Sequence, residues 1–326
     1  MKRFKKYREH QPLKKGDTLG ICAPSGAFDR DIFIQGANCL EDMGFKLLIP
    51  PEIYEKKRYL AGNDILRAQI IHTLFDNPSV KGILCARGGF GSLRLLGLLD
   101  YDLIALNPKP FVGFSDITAL LCAMSARSSL QVFHGPVVTS LARASAETLH
   151  SMYGQLTSIP MAASCCETET CFFQCHEITA PSGTVLRPGK AVGFLAGGNL
   201  ATLCHLTGTA FQPDFRNSIL FIEDVGEPPY KIDRMLSHMK LAGVLDGISG
   251  VVAGSFENCG NEYLIHEILL DIFEFPHIPV MTGFPAGHGP VNHTMRLGAV
   301  VLMDTEEKKL TWLPREYDPM GQHFEK

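Results

Sequence analysis

In the stretch Phe111 to Leu121, FVGFSDITALL, apolar residues and a glycine lead into Ser115, and Asp116 opens an apolar run of helical character. Read as strand, sharp turn and helix, this sets a serine at the apex. The hydroxyl is lifted off the sheet edge and the first helical N–H groups point at it. A serine so placed can attack a carbonyl, and the adjoining backbone donors can hold the resulting oxyanion. A serine in front of a helix also works as a plain N-cap, and on this stretch alone both uses stand.

A nucleophilic serine needs a base, and the base needs a group to orient it. Of the 12 histidines, His72, His150 and His238 fall in apparent helices and suit surface or packing roles. His288 lies in PAGHGPVNH, a Pro/Gly-rich loop directly after an apolar strand, where flanking glycines let the ring approach another segment. His293 in the same loop and His134 in FHGP are its rivals. For the orienting carboxylate, the apolar run SILFIE leads straight into Glu223. A buried acid is costly unless paired, so an acid at such a strand end has a specific partner. Asp224 and Glu227 compete for the role, and an ion pair with Lys231 or Arg234 is the alternative use. Chain order does not choose among them.

The turn Arg87 to Ser92, RGGFGS, lacks the GK[ST] ending of a phosphate loop. Arg94 stands where a dinucleotide fingerprint has its third glycine. What remains is a tight turn, or one that brings a backbone N–H close to a reacting atom. Cys165, Cys166, Cys171, Cys175 and His176 do not have paired C-x-x-C spacing, so a cysteine-rich connector is expected there and no metal.

These residues need elements to position them. Apolar runs at Thr18–Ala23, Phe45–Ile49, Val80–Ala86 and Phe111–Gly113 read as strands. Asp31–Met43, Asn63–Phe75, Leu93–Leu99 and Asp116–Arg127 read as helices. This alternation predicts a parallel sheet with helices on both faces, with ligands at the carboxyl ends of its strands. Pro24–Gly26, Arg87–Gly91 and Ser115 all fall at those ends. Ala144–Arg187 reads as a connector. A second α/β block follows from Ala191 and closes with a hairpin at Ala299–Met303 and Leu310–Leu313. The expected fold is α/β: an N-terminal Rossmann-like parallel-sheet domain in residues 1–150 carrying the serine, then a connector and a smaller α/β C-terminal domain in 151–326.

A chain of 326 residues suits two domains. A formal net charge of -4 gives no reason to expect a nucleic acid or an anionic membrane as partner. The basic KRFKKYREH start has no apolar segment behind it, and the uncharged run Ala191–Gln212 is too rich in Gly and Thr to span a membrane. A cytoplasmic location with reduced cysteines is therefore expected.

Together, GICAPSG, ARGGFGS, GFSDITALL, FHGP, GFLAGGNLATLCHLTGT, LFIEDVGEPPYKIDRML and GHGPVNHTMRLGA resemble the LD-carboxypeptidase family of serine peptidases. That family includes murein tetrapeptide carboxypeptidases and microcin-immunity peptidases. The resemblance runs from Leu19 to Val300. It implies Ser115 as nucleophile, Glu223 as the group orienting the histidine and His288 as general base. The oxyanion hole would use the backbone N–H groups of Asp116 and Gly89, and the active site would be completed across the domain interface. It further implies hydrolysis of the L,D-amide bond to a C-terminal D-Ala of murein tetrapeptide through an acyl-enzyme, with no metal or cofactor, by a homodimer. Ile117 stands where the GxSxG elbow of α/β-hydrolases has glycine, so that fold is not expected. The alternative activity is cleavage of an amide joining a peptide to a modified nucleotide, for which Phe90, Phe114 or Tyr230 would offer a stacking surface. A non-catalytic ligand-binding module is a third reading. Arg87, Arg94 and Arg234 are candidates for holding the substrate's terminal carboxylate.

Overall fold

The computed structural model describes residues 7, 8, 10–157 and 177–313. These fall into two compact units, one within Met1–Cys175 plus Pro290–Arg296, the other within His176–Gly289 plus Leu297–Lys326. A simple division at 150/151 does not foresee the return of Pro290–Arg296 to the first unit. The Cys165–His176 cluster lies outside the described residues.

The first unit alternates strands and helices: β1 (Thr18–Cys22), α1 (Arg30–Asp42), β2 (Lys46–Leu48), α2 (Asp64–Asp76), β3 (Val80–Cys85), α3 (Tyr101–Leu106), β4 (Phe111–Gly113), α4 (Thr118–Ser128), β5 (Val132–His134), α5 (Val138–Leu141) and α6 (Ala146–Thr157). Side-chain caps start three of the helices: Asp29 accepts from Asp31 and Ile32 N–H, Asn63 from Leu66 N–H, and Asp100 from Asp102 and Leu103 N–H. The strands are short apolar runs, as a sheet covered on both faces requires. Leu19, Ile21, Ile83, Leu84, Phe111 and Val112 are fully buried. Strands β1 to β5 pair in parallel in the order β2-β1-β3-β4-β5. That is the flavodoxin-type doubly wound order, and its switch point lies between β1 and β3. The segments leaving those two strands are Pro24–Gly26 and Arg87–Ser92. A late strand, β12 (Met295–Leu297), joins the sheet beside β5.

The second unit holds β6 (Glu177–Thr179), β7 (Thr184–Arg187), β8 (Lys190–Asn199), α7 (Leu200–Leu206), β9 (Ser218–Val225), α8 (Pro229–Leu241), β10 (Gly250–Glu257), α9 (Glu262–Ile272), β11 (Val280–Thr282), β13 (Val300–Asp304) and β14 (Lys309–Trp312). Strands β8 to β11 form a parallel core. Antiparallel partners extend it on both sides, giving eight strands in the order β6-β14-β13-β8-β9-β10-β11-β7. The expected closing hairpin is β13 and β14. The molecule is thus an α/β protein of two sheets.

Two local readings are corrected. Leu93–Leu99 is not a helix: a single 3₁₀ turn spans Ser92–Leu95, and the α-helix begins at Tyr101, where Asp100 supplies the cap. The stretch Ala144–Arg187 is not only a connector. It contains α6, whose Met152, Tyr153 and Leu156 are buried, and the edge strands β6 and β7.

Candidate active site

Within the first unit, β4 ends at Gly113, Phe114 is extended, and Ser115 adopts φ +63 before a 3₁₀ turn over Ser115–Ile117 leads into α4. Left-handed backbone is uncommon for a residue with a side chain and clusters at functional sites. An N-cap serine has extended backbone and spends its hydroxyl on the helix, whereas the turn after Phe114 has no side-chain cap. The capping alternative for Ser115 therefore falls away. Gly88 is what the turn after β3 presents to the serine: a Cβ built there would lie 3.0 Å from Ser115 Cβ and 3.2 Å from its Oγ. A side chain there would have to push the serine aside, so the glycine favours this close approach. Gly89, at φ +106, faces Gly26 instead. The Asp116 side chain is buried and accepts from Ser25 Oγ and from Ser92 N–H.

Within the second unit, Glu223 follows the buried apolar residues Ile219–Ile222 of β9 and is itself fully buried. Its Oε2 lies 2.6 Å from His288 Nδ1. The loop that carries His288 is held by Gly289 N–H donating to Ser255 Oγ at 2.9 Å. Gly287 is needed for close approach, since a Cβ there would stand 2.7 Å from Glu223 Oε2. Burial alone would lower the pKa of His288. The bond to Glu223 and its charge, with the charges of Asp224 and Glu257 behind it, outweigh burial and raise it above the ordinary 6.5.

The rival acids are committed elsewhere. Asp224 accepts from Asn199 Nδ2, Ala201 N–H and Val225 N–H at 3.0, 2.9 and 2.8 Å. Burial, aided by the charge of Glu223, pushes its pKa up to about 6 against those bonds. Glu227 pairs with Lys231. Of the rival histidines, His293 Nε2 lies 3.0 Å from Glu147 Oε1 within the first unit, and His134 is a buried residue packed edge-on against Phe114 at 5.9 Å.

Among the candidate arginines, Arg94 is held by Asp64 through Nε and Nη2, and Arg234 lies over the Tyr230 ring at 5.4 Å. Arg87, next to Gly88, donates Nη1 to Ala27 O at 2.5 Å and has no carboxylate partner among the described residues. Phe90 and Tyr59 are exposed and meet edge to face at 5.8 Å, whereas Phe114 is buried. Sequence reasoning missed Arg67, a charged residue of α2 that is fully buried beneath the turns after β1 and β3. Its place on an otherwise apolar helix face was the available signal. Among the described residues, no three His, Cys, Asp or Glu side chains are grouped to hold a metal, and no helix is long and apolar enough to cross a membrane.

Residues 19–135 match the LD-carboxypeptidase N-terminal domain and residues 192–303 the LD-carboxypeptidase C-terminal domain. A probable murein peptide carboxypeptidase of Bacillus subtilis is 36% identical, with 91% of each chain covered. The microcin C7 self-immunity protein MccF of Escherichia coli is 31% identical over 92% of this chain and 94% of its own. A solved structure of MccF in complex with glutamyl sulfamoyl guanosine superposes with a TM-score of 0.82 at 28% identity, covering 95% of this chain and 99% of that one. Matched in both halves by the family's two domains and along nearly its whole length by these relatives, the chain belongs to the LD-carboxypeptidase family.

Proposed function

We propose that the protein is a serine carboxypeptidase that hydrolyses the amide between an L-configured residue and a C-terminal D-Ala of murein tetrapeptide. Ser115 is the nucleophile, His288 the general base and Glu223 the group that orients it. The observation that carries this reading is the left-handed backbone of Ser115 at a strand end, with a hydroxyl not used as a helix cap.

With His288 Nδ1–H donated to Glu223, Nε2 keeps its lone pair. Nε2 takes the proton as Ser115 Oγ bonds to the scissile carbonyl carbon. The negative charge that develops on the carbonyl oxygen is received by the N–H groups of Asp116 and Gly89. Collapse breaks the C–N bond, and the imidazolium returns its proton to the leaving amine. Water then attacks the acyl-serine by the same path and frees the shortened peptide. Of the three candidate arginines, Arg87 suits recognition of the terminal carboxylate, because among the described residues its guanidinium has no acid or aromatic ring as partner. The likeness to the B. subtilis murein peptide carboxypeptidase supports the murein substrate.

The likeness to MccF bound to a glutamyl sulfamoyl nucleoside, together with the exposed Tyr59–Phe90 pair, supports the second reading, cleavage of a peptidyl- or aminoacyl-nucleotide amide. The test compares kcat/KM for D-Ala release from murein tetrapeptide with that for a glutamyl sulfamoyl nucleoside, with Ser115→Ala alongside. The proposal expects the tetrapeptide to be preferred and Ser115→Ala to abolish its turnover. Preference for the nucleoside transfers the assignment to the second reading. No turnover of either by the wild-type protein removes both.

A further inference from the structure

Two buried side chains of opposite charge lie under the serine turn, and neither takes part in the chemistry above. The Asp116 carboxylate receives Ser25 Oγ–H at 2.5 Å and Ser92 N–H at 2.9 Å, both on Oδ2, and the Ser92 hydroxyl donates to the Asp116 carbonyl. Arg67 reaches up from α2 and is 1% exposed. Its Nη1 donates to the carbonyls of Pro24 and of Gly91, the latter at 3.1 Å, while Nη2 meets Asp64 Oδ1 at 2.5 Å. Each charged group thus binds the same two segments, the one leaving β1 and the one leaving β3. Asp116 is also the residue that follows Ser115.

Burying an arginine and a carboxylate costs several kcal/mol per ion unless their hydrogen bonds are satisfied. Here those bonds go mostly to turn backbone and turn serines. Gly88, Gly89 and Gly91 give their turn many accessible conformations. Backbone donors at a reacting centre are effective only when their place is fixed beforehand. A turn that is mostly glycine therefore needs an external clamp, and Arg67 and Asp116 grip it at its far end, on the consecutive residues Gly91 and Ser92.

We propose that Arg67, through its guanidinium, and Asp116, through its carboxylate, are positioning residues that hold the Gly88–Ser92 turn against the Ser115 elbow. The hydroxyl and the neighbouring N–H donors then keep one spacing before substrate arrives. The inference rests on the serine-nucleophile reading.

The test measures kcat and KM for D-Ala release, the rate of Ser115 labelling by a fluorophosphonate, and the melting temperature. In that labelling the serine oxygen bonds to phosphorus, fluoride leaves and the base takes the proton. The variants are Asp116→Ala, Asp116→Asn, Ser25→Ala and Arg67→Lys, with Ser115→Ala as reference. Displacing a reacting group by about 1 Å costs about 100-fold, so Asp116→Ala should lower kcat and labelling together by about that factor with KM little changed. Asp116→Asn keeps an acceptor oxygen in place and should recover about tenfold of the loss, while Ser25→Ala, which removes one bond, should lose about tenfold. Arg67→Lys offers one nitrogen where the guanidinium uses two, and should likewise lower kcat and labelling.

A folded Asp116→Ala protein with wild-type kcat and labelling overturns the proposal, as does a loss confined to KM or to melting temperature. If Asp116→Ala does not fold, Ser25→Ala decides: a tenfold loss in labelling supports the clamp and wild-type labelling refutes it. If Ser115→Ala itself keeps turnover, the nucleophile reading fails first. If Ser115→Ala is inactive while Asp116→Ala and Ser25→Ala behave as wild type, the clamp alone fails.

Discussion

The unit that carries Ser115 and the unit that carries His288 organise their side chains by different means. Around Ser115 the order is geometric: a left-handed residue, a glycine whose missing Cβ admits the serine, and a carboxylate turned inward to hold loops. Around His288 the order is electrostatic. A fully buried carboxylate bonds the ring, and two further acids add their charge. The contrast follows from the chemistry each group would do. A serine hydroxyl is neutral and must be aimed, whereas an imidazole must hold a proton for part of the cycle and needs its charged form stabilised.

Glu223→Gln keeps the shape of the pair and removes its charge. By analogy with triads whose orienting acid is neutralised, kcat should fall by about 10⁴ with little change in fold. A loss below about tenfold would show that charge does not organise this half. Gly88→Ala does the reverse, placing a methyl 3.0 Å from Ser115 Cβ without touching any charge. It should cost about 100-fold in kcat, whereas Gly97→Ala, with nothing within 4 Å, should cost nothing. Equal effects from the two glycines would remove the geometric half of the contrast.

Smaller effects come from pH. A general base must be neutral, and His288 is raised above 6.5, so the acid limb of kcat/KM should have its midpoint above that value. Glu257→Gln removes one of the charges responsible and should move the limb to lower pH. An unmoved limb would exclude His288, or Glu257's influence on it. Stability should also run in opposite directions in the two units. Burial lowers the pKa of His293, and that of His10 to about 4, so the folded first unit refuses protons that the unfolded chain accepts. It loses stability as pH falls from 6.5 toward 4. In the second unit His288 and Asp224 are raised, the latter to about 6, so the folded state holds extra protons and loses stability as pH rises through that range and beyond. Peptide-resolved amide exchange, corrected for intrinsic rates, should show α6 better protected at high pH and β9 better protected at low pH. Parallel changes in both would contradict this.

Much of this was legible in the chain. The order of short apolar runs and helices gives a parallel sheet; GFSD and FIED stand at the ends of β4 and β9, and GHG lies in the loop that follows β11. Other features were hidden for physical reasons. The φ of Ser115 leaves no mark in the sequence, because a serine ahead of a helix reads equally well as an N-cap. The edge strands β6 and β7 are three and four residues long and pair with β14 and β11, far away in sequence, so no local period announces them. Asp116 reads as the acid that opens a helix, and Arg67 is a single charge on the otherwise apolar face of α2, which does not by itself say what the charge holds. Only tertiary packing turns both side chains inward.

The most direct test of the account is a double-variant cycle on the release of D-Ala. Ser115→Ala and His288→Ala should each lower kcat by about 10⁶, and the double variant should be no worse, because the members of a triad act as a unit. Losses that multiply in the double variant, or near-wild-type turnover by Ser115→Ala, would show that the two residues do not share one mechanism.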